Sequence, residues 1–160
     1  MIILGIDPGY AIVGYGVIEF KSNRFSVVDY GAITTNAGTP FERRLELIYD
    51  DLNLLMGKFH PEAMSIEKLF YNTNAKTVID VAQARGVTVL AAKKNNIPIF
   101  EYTPLQVKQS VVGYGRAEKK QVQEMTRIIL KLAKIPKPDD TADALAMAIC
   151  PPHPAGPPPG

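Results

Sequence analysis

The sequence predicts an α/β protein, a mixed five-stranded sheet flanked by helices, with its first three strands antiparallel. Two observations carry this reading. Three β-patterned runs follow one another across short polar connections, as an antiparallel meander does. Helical patterns then alternate with two further apolar runs before the chain ends in helices, which suits helices packed on the faces of one sheet. A length of 160 residues is most simply one folded unit, assigned here to residues 1–150, followed by a proline-rich tail over 151–160.

Residues 2–6, Ile-Ile-Leu-Gly-Ile, are nearly all apolar, as a strand buried on both faces requires, and Asp7-Pro8-Gly9 ends them with turn residues. Residues 14–20 and 25–33 read as the next two strands, joined through Lys21-Ser22-Asn23-Arg24. Thr39-Pro40-Phe41-Glu42 is a helix start, with Thr39 as cap, Pro40 in the first turn and Glu42 completing a capping box. Phe41, Leu45, Ile48, Leu52 and Leu55 then form one apolar stripe. His60-Pro61 breaks the chain, and Ala63-Met64-Ser65-Ile66 reads as a fourth strand ending at Glu67.

Residues 74–94 look helical, with apolar side chains around most of the circumference, so this helix needs two partners, its own sheet and a second subunit. Burial within one monomer is the alternative. A fifth strand is predicted over 97–102, and helices over 104–112, 117–134 and 141–150. Val122, Met125, Ile129 and Leu132 supply the core stripe of the long one. The last ten residues, rich in proline, cannot pack as helix or sheet.

Composition excludes more than it identifies. Hydrophobic residues make up 46% and charged residues 21%, which argues against wholesale disorder. The formal net charge is only +2, but between Pro104 and Lys137 eight basic residues face two acidic ones, a local excess of six positive charges. Such a face suits a polyanion bound on one side; a solvated helix surface would look the same. The single Cys150 cannot form an internal disulfide, and no charged-then-apolar leader or membrane-length apolar run is apparent. A soluble, cytoplasmic protein with no membrane partner is expected.

The residues that promise chemistry are carboxylates at the ends of apolar elements. Asp7 closes the first strand, Glu67 closes the fourth, and Asp140 and Asp143 flank the start of the last helix, three apart and on one side of it. Each has an ordinary explanation alone: a turn residue, an exposed strand end, a helix cap with a favourable first-turn acid. Together they converge on one site if the first and fourth strands are neighbours. Four close carboxylates repel unless cations sit among them, and oxygen-only ligands favour Mg²⁺ or Mn²⁺ over zinc. His60 and His153 are isolated and suit no metal cluster. A metal pair held by carboxylates is a known arrangement for phosphodiester hydrolysis.

Seven segments, taken in order, resemble the RuvC family of Holliday-junction resolvases. They are Ile-Leu-Gly-Ile-Asp-Pro-Gly (3–9), Gly-Tyr-Gly (14–16), Ser-Ile-Glu (65–67), Gln-Ala-Arg-Gly-Val (83–87), Gln-Val-Lys-Gln (106–109), Val-Val-Gly-Tyr-Gly (111–115) and Asp-Thr-Ala-Asp-Ala-Leu-Ala (140–146). The resemblance implies an RNase H-like fold, a homodimer, four-way junction DNA as substrate, and Mg²⁺-dependent cuts leaving 5′-phosphate and 3′-hydroxyl ends. It implies two ions per site held by Asp7, Glu67, Asp140 and Asp143, which are also the catalytic acids. Some relatives carry a histidine where Asp140 stands, so its role as ligand or base is open. Lys108 and Lys119 match family lysines near the scissile phosphate, and Phe70 matches an aromatic that stacks on opened bases. Tyr71 reads as a loop residue packed on the core. A branch-migration helicase complex is a further implied partner. Gly113-Tyr114-Gly115 is either a flexible approach to DNA or a turn, and Arg85 and Lys76 serve either DNA contact or solubility.

Three other readings compete. Another RNase H-like nuclease acting on RNA or hybrid would carry the same acids. Gly-Ile-Asp-x-Gly also opens sugar kinases and actin-like ATPases, but those need a second similar domain and phosphate loop, for which this chain has no room. A catalytically silent binder of DNA structures would not need all four acids.

Overall fold

The computed structural model of the protein describes residues 1–9, 11–68 and 75–150. Phe70, Tyr71 and the tail 151–160 lie outside the described residues, as does the side chain of Lys76. Strands β1 (Ile2–Pro8), β2 (Ile12–Lys21) and β3 (Arg24–Thr34) form the antiparallel meander, and β4 (Ala63–Glu67) and β5 (Ile99–Tyr102) extend the sheet parallel to β1. Strand order is β3-β2-β1-β4-β5, so the first and fourth strands are neighbours. A parallel return needs a crossover, and α1 (Phe41–Phe59) supplies the one from β3 to β4. Helix α2 (Ala75–Lys94) supplies the next.

Helices cover both faces. Leu4, Ile6, Val17 and Ile66 pack beneath α1 and α2, where Ile48, Leu52 and Met56 meet Ala84, Ala91 and Ala92. On the other face Ile3, Ile18 and Tyr102 lie under α3 (Pro104–Val111), α4 (Lys119–Ile129) and α5 (Asp139–Ile149). Alternation along β1 therefore sends Leu4 and Ile6 one way and Ile3, Gly5 and Asp7 the other. Among the described residues no helix is long and apolar enough to cross a membrane.

Local corrections have identifiable causes. At α1 the expected capping box does not form: Pro40 occupies the cap position with no side-chain bond, and the Thr39 amide donates to the Asn36 carbonyl. The fully buried edge of α1 is Arg44, Ile48, Leu52 and Met56, while Leu45 and Leu55 are only partly buried. The predicted helix over 117–134 is shorter, beginning at Lys119 and ending at Ile129. It stops because Lys131 adopts a left-handed φ of 55°, with the Leu132 amide donating to Arg127 and the Lys131 amide to Ile128. That is a Schellman ending without its usual glycine. Val122, Met125, Ile129 and Leu132 still pack partly buried on the core, but the fully buried positions are Thr126 and Leu130. Gly113 has a φ of 104°, and its amide and that of Val112 both donate to the Lys108 carbonyl, so Gly113-Tyr114-Gly115 begins as the turn that ends α3.

Helix α5 lies unusually close to the sheet. All its residues from Ala144 to Ile149 are buried, and it crosses β1 and β2 over glycine. A methyl group on Gly5 would collide with the Ala144 carbonyl oxygen and stand 2.9 Å from the Ala148 Cβ. One on Gly14 would collide with the Asp140 carbonyl, and one on Gly16 would meet Leu145 Cδ2 at 2.6 Å. Gly5 pairs with Gly16, and Asp7 with Gly14, so the bare patch is continuous across both strands. Gly5→Ala and Gly14→Ala are each expected to lower unfolding free energy by at least about 1–3 kcal/mol, the usual cost of overpacking. Gly57→Ala in α1, where the added methyl meets nothing within 4 Å, should instead raise it by about 0.5–1 kcal/mol. Denaturant midpoints of the three variants measure this, and equal shifts would contradict the proposed contact.

Candidate active site

Asp7 and Glu67 reach the same side of the sheet by register. Ile6 pairs with Ile66 in the parallel β1–β4 ladder, so the next residues, Asp7 and Glu67, stand side by side on the face that α5 covers. Gly14, across from Asp7 on β2, has no side chain, and the first turn of α5 fills the space. The Thr141 hydroxyl, fully buried, donates to the Gly31 carbonyl at 3.2 Å and ties that turn to β3. Asp140 and Asp143 are thus held over the end of β1. Asp7, Glu67 and Asp143 line one cleft of about 290 Å³, together with Lys108 from α3 and Lys119 from the start of α4. Asp140 is not part of that lining, but its carboxyl stands near enough to that of Asp7 to push the Asp7 pKa up.

The electrostatics are those of too many acids in one place. Burial pushes the Asp7 carboxyl up to about 8, and Asp143, Asp140 and Glu67 reinforce the shift. Glu67 is raised by burial and by Asp143, against an opposing pull from Lys119. Asp143 is raised by burial too, again with Lys119 opposing. The Lys119 ammonium stands 3.6 Å from Asp143 Oδ2 and 3.6 Å from Asp139 Oδ2. Burial works against its charge, but these two carboxylates outweigh burial and raise its pKa. Asp139 does not line the cleft. Lys137, at 3.2 Å, and then Lys119 hold its carboxyl low, as a solvated counter-ion.

The donor set fits a hard divalent cation. It contains only oxygen, its acids are partly buried, and every acid neighbour of Asp7 raises its pKa, a penalty that added positive charge would remove. Among the described residues no three Asp, Glu, His or Cys side chains are grouped closely enough to hold a metal ion as they stand. Lys119 brings positive charge to Asp143 at the edge of the cluster. Capping boxes position both cleft lysines: Thr103 with Gln106 starts α3, and Glu118 with Gln121 starts α4 at Lys119 itself. The Thr-Pro-x-Gln pattern at 103–106 is plain in the sequence, although the capping box expected there was the one at 39–42. Lys119 as counter-ion of Asp139 was not visible, because that pairing joins two helices.

A pH dependence arises for the protein in chelator. The folded pKa of Asp7 lies above its unfolded value, so between the ordinary carboxylate range and about 8 the folded chain keeps a proton that the unfolded chain has released. Stability falls as pH rises through that window. Thermal melting in chelator should show this decline, and Asp7→Asn should flatten it and melt higher at the alkaline end. Identical slopes for the two proteins would contradict the electrostatic account.

The family model for crossover junction endodeoxyribonuclease RuvC matches residues 3–151. A crossover junction endodeoxyribonuclease RuvC from Ruminiclostridium cellulolyticum is 64% identical over 150 residues, covering 94% of this chain and 90% of that protein. The Thermus thermophilus RuvC structure superposes with a TM-score of 0.87 at 32% identity, covering 93% of this chain and 92% of the other. The T. thermophilus protein in complex with a Holliday junction substrate matches at 0.85 and 30%, over 93% and 91%. The expected RNase H-like sheet, with its first three strands antiparallel, is therefore the fold observed. The chain belongs to the crossover junction endodeoxyribonuclease RuvC family.

Proposed function

We propose that the chain is an endonuclease that resolves Holliday junctions by symmetrical, metal-dependent nicks in opposed strands, during homologous recombination and DNA repair. The observation that carries the reading is the convergence of Asp7, Glu67 and Asp143 with two lysines on one cleft, in a member of this family. Asp7, Glu67, Asp140 and Asp143 hold the divalent ions, Mg²⁺ with Mn²⁺ able to substitute, two per site. When bound, such ions supply an activated water and stabilise the leaving oxygen, giving 5′-phosphate and 3′-hydroxyl ends.

The chain's own groups do the rest. Lys108 and Lys119 bring positive charge to the phosphate from the cleft wall. The Lys119–Asp143 contact is long and solvated, so Lys119 can exchange it for substrate at small cost. Phe70, just beyond β4, is assigned to stacking on opened bases by family analogy alone.

A homodimer gives paired cuts their logic, since a two-fold assembly presents identical sites to opposed strands. Helix α2 supports it. Ile79, Gln83, Gly86 and Leu90 form one exposed stripe, with Ile79 63% and Leu90 52% exposed and nothing near Gly86. Two large apolar residues around a bare glycine suit a helix packed on its symmetry mate. The cytoplasm as location and a branch-migration helicase complex as partner extend the reading from family membership.

The test is a mobile four-way junction beside a matched duplex and an RNA–DNA hybrid, in Mg²⁺ and in chelator. Paired nicks confined to the junction are expected, abolished by chelator. Asp7→Asn should lose more than the roughly 10–100-fold that an outer partner of a metal site is worth. Tight binding without cutting would replace the reading with a silent binder, and preferential cleavage of the hybrid would replace it with another RNase H-like nuclease.

A further inference from the structure

Arg85 is placed for neither of the surface roles its sequence context suggests. Its side chain is only 17% exposed, and its Nη2 is fully buried. The Nε donates to the main-chain carbonyl of Glu67 at 3.3 Å, and Nη2 lies 3.2 Å from Glu101 Oε1. The second contact is ionic without the alignment of a hydrogen bond. A buried guanidinium is costly without partners, so these two contacts fix where it sits.

The location gives the contact its meaning. Glu67 is the last residue of β4, and the next amide, Lys68, donates to the Tyr102 carbonyl to finish the β4–β5 ladder. Arg85 thus holds the point where the chain leaves the sheet, from behind, while the Glu67 carboxylate faces the cleft. It does not line the cleft itself. It also lies beside Gly86, in the exposed stripe of α2, so one side chain joins that helix to two strand ends.

We propose that Arg85 is a positioning residue that locks the end of β4 to α2 and β5, and thereby sets the place from which Glu67 presents its carboxylate beside Asp7. The inference rests on the function proposed above. A carboxylate displaced by a fraction of an ångström would weaken ion binding and turnover and leave junction affinity alone.

The test compares full-length wild type, R85A and R85K. R85A should lower kcat at saturating junction by about 10- to 100-fold, in keeping with the effect of small misplacements. It should also weaken Mn²⁺ binding by calorimetry and speed hydrogen exchange at the Lys68 amide, with junction affinity in chelator unchanged. R85K keeps a charge and a donor but loses the fork, and should recover part of kcat. A folded R85A with wild-type kcat, Mn²⁺ affinity and Lys68 exchange would overturn the proposal. So would a loss confined to junction affinity, which would make Arg85 a DNA contact. If R85A does not fold, R85K decides: a reduced kcat with unchanged junction affinity supports the proposal, and wild-type kcat overturns it. If wild type itself leaves junctions uncut, the proposed function fails, while Mn²⁺ binding and exchange still report on Arg85.

Discussion

The site depends on one close approach, that of helix α5 to the sheet. Two of the four acids sit on a helix and two on strands, and they meet only because the sheet carries no side chains where the helix crosses. Gly5, Gly14 and Gly16 form that bare patch, and the Ala144 and Asp140 carbonyls lie where the methyl groups of Gly5 and Gly14 would be. The alanines of α5 complete the fit from the other side. Burial of Thr141 and its bond to Gly31 then fix the rotation of the first turn. The glycines in the Ile-Leu-Gly-Ile-Asp and Gly-Tyr-Gly segments are therefore part of the site, although none carries a functional group.

Close approach creates an electrostatic strain that organises the cleft. Bringing Asp140 and Asp143 over β1 buries Asp7 among three other carboxylates, and the carboxyl responds by holding its proton. Lys119 offers partial relief from the exposed side, shared between Asp143 and Asp139. Divalent ions would relieve it further, as the proposed function requires. Fold and electrostatics are coupled here: the packing of α5 on the sheet also sets the density of negative charge around Asp7.

Much of this was legible in the sequence, and the gaps have physical causes. Apolar runs and polar links gave all five strands, since period and turn residues are local. The pairing of β1 with β4 was only suggested, because sheet order is set by how α1 crosses over. Thr-Pro-x-Glu at 39–42 and Thr-Pro-x-Gln at 103–106 look alike, yet only the second forms a capping box. In the first, the Thr39 amide is already engaged by a turn with Asn36. The end of α4 was invisible because Lys131, not glycine, takes the left-handed position. The four acids were singled out as strand-end and helix-start residues, while Arg85 looked like surface because its partners lie on β4 and β5.

If the glycine-floored crossing assembles Asp7, Glu67, Asp140 and Asp143 into one divalent-ion site, that site should be visible directly in crystals grown with Mn²⁺ and measured at its absorption edge. Anomalous peaks are expected against the Asp7 carboxylate, shared with Glu67 and with at least one of the two α5 acids. Peaks confined to other surface carboxylates, or none within reach of Asp7 at saturating Mn²⁺, would contradict it.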